Sequence, residues 1–260
     1  MLKKLLKELL LDVGLYYKIN GYRFRHDSRN ISQKAFYSSI IGRDDLVFDV
    51  GANIGQRADI FSQLSRKVIA FEPQAHCIRH LRSRFAFRRN VVVEHIALSD
   101  AEGETAIYES NSHDLTSMSL KFIETVSQSI FKDQQWKPPV LVRTKSLDQM
   151  IATYGLPRFI KIDVEGFELN VLNGLSHPVS WVTFEHTPGL LDETEKCVRR
   201  MNRISEGYLF NYCLGENLQF ALGEHVDFST FVNAVLPRIR GKGQFGDVYA
   251  VLNESGNLRL

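Results

Sequence analysis

Arg158-Phe-Ile-Lys-Ile-Asp163-Val-Glu165-Gly166-Phe-Glu168 decides the fold, because a short β-favouring run delivers two acids to a turn at glycine. In α/β enzymes that is where the chemistry sits, at the carboxyl ends of the strands. Upstream, Leu46-Val-Phe-Asp49-Val-Gly51-Ala-Asn53-Ile-Gly55 follows the same order, an apolar strand running into a glycine turn. One tip supplies glycines and the other acids, so the two are predicted to border a single cleft.

Working outward, the pattern alternates. Strands are predicted over 47–50, 68–71, 91–96, 159–164 and 181–184, with helices over 56–64, 73–87, 167–173 and 193–204. Strands alternating with helices predict an α/β fold, a doubly wound parallel sheet. Residues 103–108 and 140–144 read as added strands, and the polar stretch between them, about 109–139, as an insertion that covers the substrate. Strands over 207–213, 218–222 and 247–252 predict an antiparallel finish.

The 260 residues are 44% hydrophobic and 24% charged, which suits one large domain over 36–260 with an extension over 1–35. Leu2, Leu5, Leu6, Leu9, Leu10 and Val13 recur at helical spacing with Lys3, Lys4 and Lys7 between them. The extension therefore reads as an amphipathic helix that covers the domain's own core. A peripheral membrane or self-association contact through 1–13 is the second reading. The run lacks a signal peptide's unbroken apolar core, so secretion is not expected. Cys77, Cys197 and Cys213 are too scattered for a disulfide framework or a zinc site, which favours a reducing cytoplasm. A net charge of +2 does not call for nucleic acid. Arg79, Arg82, Arg84, Arg88 and Arg89, interleaved with Phe85 and Phe87, read as the solvated face of a helix. Arg23, Arg25 and Arg29, with Arg238, Arg240 and Lys242, better suit an anionic sugar or lipid headgroup.

The glycine turn defines the ligand class. Glycines at 51 and 55 let backbone approach a ligand closely. At the end of the next strand, Glu72 is placed to accept hydrogen bonds from both hydroxyls of a ribose. The turn lacks the GxGxxG of a dinucleotide site and the GK[ST] of a P-loop, which disfavours a nicotinamide dehydrogenase. Asp49 beneath it would repel phosphate and attract an ammonium. A nucleoside carrying an amino acid and no phosphate fits, and S-adenosylmethionine is one.

Taken in order, Phe48-Asp49-Val-Gly51-Ala-Asn53-Ile-Gly55, Phe71-Glu72-Pro73, Ile96-Ala97-Leu98-Ser99-Asp100, Leu147-Asp148, Ile160-Lys161-Ile-Asp163-Val-Glu165-Gly166-Phe-Glu168 and Phe184-Glu185 resemble the FkbM family of methyltransferases, over about residues 36–190. The resemblance implies the Rossmann-like class I methyltransferase fold, with seven mostly parallel strands, helices on both faces and an antiparallel C-terminal strand. It also implies O-methylation of a sugar, glycolipid, polysaccharide or natural product. By position, Asp49, Gly51, Asn53 and Gly55 would hold the methionine end, Glu72 the ribose, and Ala97 and Leu98 the adenine. Asp163 would sit beside the sulfonium.

An alcohol attacks well only as its proton leaves, so a group within hydrogen-bond reach should take that proton. Asp163, Glu165, Glu185 and His186, all near strand ends, are the candidates, with the first two ranked ahead. Glu185 reads equally as an ion-pair partner of Lys161, and His186 as a loop histidine. Asp163, Glu165 and Glu185 could also present oxygens to a divalent metal, a reading not favoured because no cage of ligands is evident. Asn111, His113 and Asp114 form a polar set that faces either acceptor or solvent. The acceptor is expected to be a small molecule or glycan. The alternative is a catalytically idle S-adenosylmethionine-fold module that serves as a binding or scaffold partner.

Overall fold

The computed structural model describes residues 2–12, 14–17, 27–110, 116–128, 135–215 and 218–253. α1 (Leu2–Asp12) and α2 (Ser28–Tyr37) precede β1 (Leu46–Val50), α3 (Gln56–Leu64), β2 (Lys67–Phe71), α4 (Ala75–Phe85) and β3 (Val91–Glu94). Next come β4 (Ala97–Ser99), β5 (Gly103–Glu109), β6 (Thr116–Ser117), α5 (Leu120–Gln128), β7 (Val140–Ser146) and α6 (Leu147–Tyr154). The chain finishes with β8 (Phe159–Ile162), α7 (Glu168–Asn173), β9 (Trp181–His186), α8 (Leu191–Ile204), β10 (Tyr208–Leu214), α9 (Phe228–Thr230), a π-helical turn (Phe231–Val235), α10 (Leu236–Arg240) and β11 (Gly246–Leu252).

Seven strands form one sheet in the order β10-β11-β9-β8-β1-β2-β3. The five from β9 to β3 are parallel, and β11 runs antiparallel to both its neighbours. This is the seven-stranded, mostly parallel Rossmann-like sheet that the resemblance implied. The chain winds outward from β1 through β2 and β3, then resumes on the other side at β8, so the strand order reverses between β1 and β8. Ligands of open α/β sheets bind at such a reversal. β1 is buried from end to end, because Phe48 and Val50 pack with α6, α7 and α8 while Val47 packs with α2, α3 and α4. A strand covered on both faces reads as an unbroken apolar run, which made it legible.

Three expectations change. The strand predicted over 91–96 stops at Glu94, and Ala97–Ser99 joins a second sheet ordered β4-β7-β5-β6. Residues 218–222 form no strand. There one backbone bond, Ala221 N to Tyr212 O (2.8 Å), is joined by the Asn211 side chain, which donates to Leu222 O (3.0 Å) and accepts from Leu222 N (3.1 Å). The polar stretch about 109–139 contains β6 and the amphipathic α5, and its Asn111, His113 and Asp114 lie outside the described residues, as do Arg23 and Arg25.

α1 docks on α4. Arg79 bonds Glu8 and, at 2.7 Å, Asp12, while Leu11 is buried and Leu5 and Leu9 face outward. Other arginines of this stretch are also engaged: Arg84 stacks 4.1 Å over the Tyr17 ring, and Arg88 pairs with Asp59 at 3.0 Å. The boundary at 35/36 falls inside α2, whose Tyr37 is fully buried against Phe61 and Phe159. All three cysteines are buried, and none of them forms a disulfide among the described residues. Among the described residues no helix is long and apolar enough to cross a membrane.

Candidate functional site

At the strand reversal the two motifs meet backbone to backbone. Gly51 has φ 79°, and a Cβ there would lie 1.8 Å from the Asp163 carbonyl oxygen. No other residue supplies both that conformation and that clearance. Asp163 N donates to Val50 O, and both Gly51 N and Ala52 N donate to Phe71 O, each at 3.0 Å. The tips of β1, β2 and β8 are thus one hydrogen-bonded unit.

Glu72 braces that unit. Its two carboxylate oxygens accept from Asn53 N and Gln74 N, each at 2.8 Å. Burial pushes its pKa up to about 7, against the pull of those two bonds. Each oxygen keeps a second lone pair for a ligand hydroxyl. The cleft above is lined by Gly51, Asn53, Glu72, Asp163 and Glu165, and its apolar wall includes Phe71, Ala97, Leu98 and Ile107.

Asp49 and Gly55 are not part of that lining. Asp49 lies one layer below, 1% exposed, with Oδ2 lacking a hydrogen-bond partner. Burial raises it to about 6 although Lys161 opposes the shift. Gly55 starts α3 with φ 83°, and a Cβ there would meet Leu81 and Phe85 at 2.7 and 2.8 Å. Its missing side chain serves the packing of α3 on α4.

The acidic turn is held from three sides. Lys161 Nζ donates to Asp163 Oδ2 at 2.5 Å, so Lys161 pairs with Asp163 rather than with Glu185. Burial works against the Lys161 ammonium, but the Asp163 and Asp247 charges outweigh it and raise its pKa. Glu168 Oε1 accepts from Val164 N (3.2 Å) and Gly166 N (3.1 Å), and burial lifts Glu168 to about 7. Ser117 Oγ of β6 donates to Glu165 O at 2.6 Å. Gly166, φ 86°, leaves room for Phe122 of α5, which a Cβ would meet at 2.6 Å.

Carboxylate oxygens of Asp163, Glu165 and Glu185 lie within 4.8 Å of one another, close enough to share a proton or a cation. Glu185 Oε2 is buried without a partner. Burial, then the Glu165 and Asp163 charges, raise its pKa well above the ordinary carboxylate range. His186 does not join them. Side chains alternate along a strand, so it points to the opposite face of β9, where burial lowers it to about 4.

Sequence reasoning missed three supports: Lys161 as the anchor of Asp163, Glu168 as the brace of the turn, and Ser117 as its roof. Lys161 could have been found, since residues i and i+2 of a strand share a face. Ser117 could not, because its partner is a backbone oxygen far along the chain.

The sequence model of the Methyltransferase FkbM domain matches residues 49–212. Hexuronic acid methyltransferase AglP of Haloferax volcanii is 27% identical over 149 residues, covering 54% of each chain. The chain therefore spans about half the length of that curated relative. Methyltransferase FkbM from Methylobacillus flagellatus superposes with a TM-score of 0.46 at 14% identity, over 92% of this chain and 60% of that one. Precorrin-6y C5,15-methyltransferase from Geobacter metallireducens does so with 0.45 at 12% identity, over 86% and 88%.

Proposed function

The chain belongs to the FkbM methyltransferase family, and we propose that it transfers a methyl group from S-adenosylmethionine to a hydroxyl of a sugar or glycan. The observation that carries this reading is the abutment of Gly51 on Asp163 above Glu72 at the strand reversal. It sets a hydroxyl-accepting carboxylate, open backbone and a negative tip in one cleft without the glycine pattern of a phosphate cradle. A cationic, hydroxylated, phosphate-free nucleoside fits those residues.

Glu72 would hold the ribose hydroxyls, Gly51 and Asn53 the amino-acid end, and Ala97 and Leu98 with Ile107 the adenine. The bound cofactor supplies a sulfonium methyl group for in-line displacement. Asp163, fixed by Lys161, orients the acceptor hydroxyl and takes its proton. Glu165 keeps that corner electronegative, Glu185 holds its proton there, and Asp49 adds charge from below. β6 and α5, which rest on the turn through Ser117 and Phe122, exclude water and cover the acceptor. The sugar acceptor is supported by the relative from Haloferax volcanii, whose name gives hexuronic acid as its substrate. Three buried, unbridged cysteines suit a reducing cytoplasm.

The test measures S-adenosylhomocysteine formation with uronic acids, glycans and other hydroxylated acceptors, in wild type and in Asp163→Ala and Glu165→Ala. Turnover that both variants lose is expected. Cofactor binding without turnover on any acceptor would favour the idle module, and failure of S-adenosylhomocysteine to bind in calorimetry would end both readings.

A further inference from the structure

α1 holds to the domain by a polar edge and leaves apolar residues outside. Arg79 of α4 takes both Glu8 and Asp12, and Leu11 is buried. Leu5 and Leu9, one turn apart and so on one stripe of the helix, are each 58% exposed. An amphipathic helix that served only the core would bury that stripe. The chain leaving α1 lies against the end of α4, since a Cβ on Gly14 would meet Ala86 Cβ at 2.7 Å and the Phe87 ring at 3.9 Å. Phe87 is itself 63% exposed, which extends the apolar surface.

The charge around these residues is of one sign. α1 carries Lys3, Lys4 and Lys7 against Glu8 and Asp12, and Arg79 engages both acids. Lys7 is exposed and sits 5.5 Å over the Tyr16 ring, a contact that keeps its charge. Arg82, three residues past Arg79 and so on the same side of α4, is exposed as well. Exposed leucines among basic residues match the interface of an anionic bilayer, where apolar side chains enter the acyl boundary and cations meet headgroup phosphates. The 11 residues of α1 make a helix about 16 Å long, too short to span a bilayer and suited to lie along it. A second copy fits worse, because a two-fold contact would set one basic patch against another.

We propose that this face, Leu5 and Leu9 with the lysines of α1 and Arg82, rests on an anionic lipid surface, an assignment independent of what the methyl acceptor is. The experiment sediments the full chain with sucrose-loaded vesicles of phosphatidylcholine alone, and of phosphatidylcholine mixed equally with phosphatidylglycerol. Expected is binding to the mixed vesicles only, released by raised salt. Leu5→Ala combined with Leu9→Ala should weaken it roughly tenfold or more. Lys7→Gln and Arg82→Gln should each weaken it roughly fivefold, with melting curves unchanged because every substituted side chain is exposed. No binding to the mixed vesicles, equal binding to both kinds, or leucine variants that bind as wild type would overturn the assignment. A dimer that forms without vesicles and is lost in the leucine variants would give the face to a second copy and overturn it too.

Discussion

The tips of β1 and β8 meet through backbone, whereas β6 and α5 rest on them through side chains. At Gly51 the neighbour is the Asp163 carbonyl, which cannot rotate away. At Gly166 it is Phe122, and at Glu165 the Ser117 hydroxyl. Backbone contacts tolerate almost no change, while side-chain contacts can be rebuilt around a different acceptor. The contrast separates a fixed half of the cleft from an adjustable half.

Gly51→Ala should break it most. The new Cβ meets a carbonyl and demands a disfavoured φ, so a loss of about 3 kcal/mol or more is expected in urea unfolding, together with S-adenosylhomocysteine binding. Wild-type affinity in this variant would show that the two tips can part. Next comes Asp163→Asn, which keeps the shape and removes the charge. A drop of roughly 10²–10⁴-fold in kcat is expected with cofactor affinity changed far less, and a small kcat effect would move the proton to another acid.

Glu168→Gln sharpens the comparison from within the fixed half. The folded pKa of Glu168 is raised from 4.5 to about 7 by burial, so the stability it contributes is fully present below 4.5 and lost as pH rises through about 7. Glutamine keeps the accepting oxygen and cannot ionise. The variant should lose part of the decline in stability across that window, on the order of 3 kcal/mol at most; an unchanged slope in a pH series of melting curves would count against it. Smallest of all, Ser117→Ala removes the bond to Glu165 O and the one accepted from Ser119 N, about 1 kcal/mol each, and should raise the acceptor KM more than it weakens S-adenosylhomocysteine binding.

The same contrast explains what the sequence made legible. β1, β2, β8 and β9 were readable because burial on both faces leaves uniform apolar runs, and Gly51, Glu72 and Asp163 because each ends such a run. β4 was not separable from β3, since Val91 to Leu98 is apolar on both sides of the break at His95 and only pairing with β7 divides it. α5 was missed because its apolar residues serve a small local cluster around Phe122 and Leu190 and are set among polar ones. His186 illustrates the limit of counting along a strand: one residue past Glu185, it points to the other face of the sheet.

The contact between Gly51 and Asp163 also bears on when the site comes into being. It joins points roughly a hundred residues apart, and such non-local pairings form late in folding. Neither motif can prepare the cleft alone, since β1 acquires its acidic neighbour only when β8 slots in beside it. During synthesis the glycine turn emerges first and waits, edge unpaired, for the strand that completes it. Ligand binding at this cleft therefore reports that β8 has joined β1.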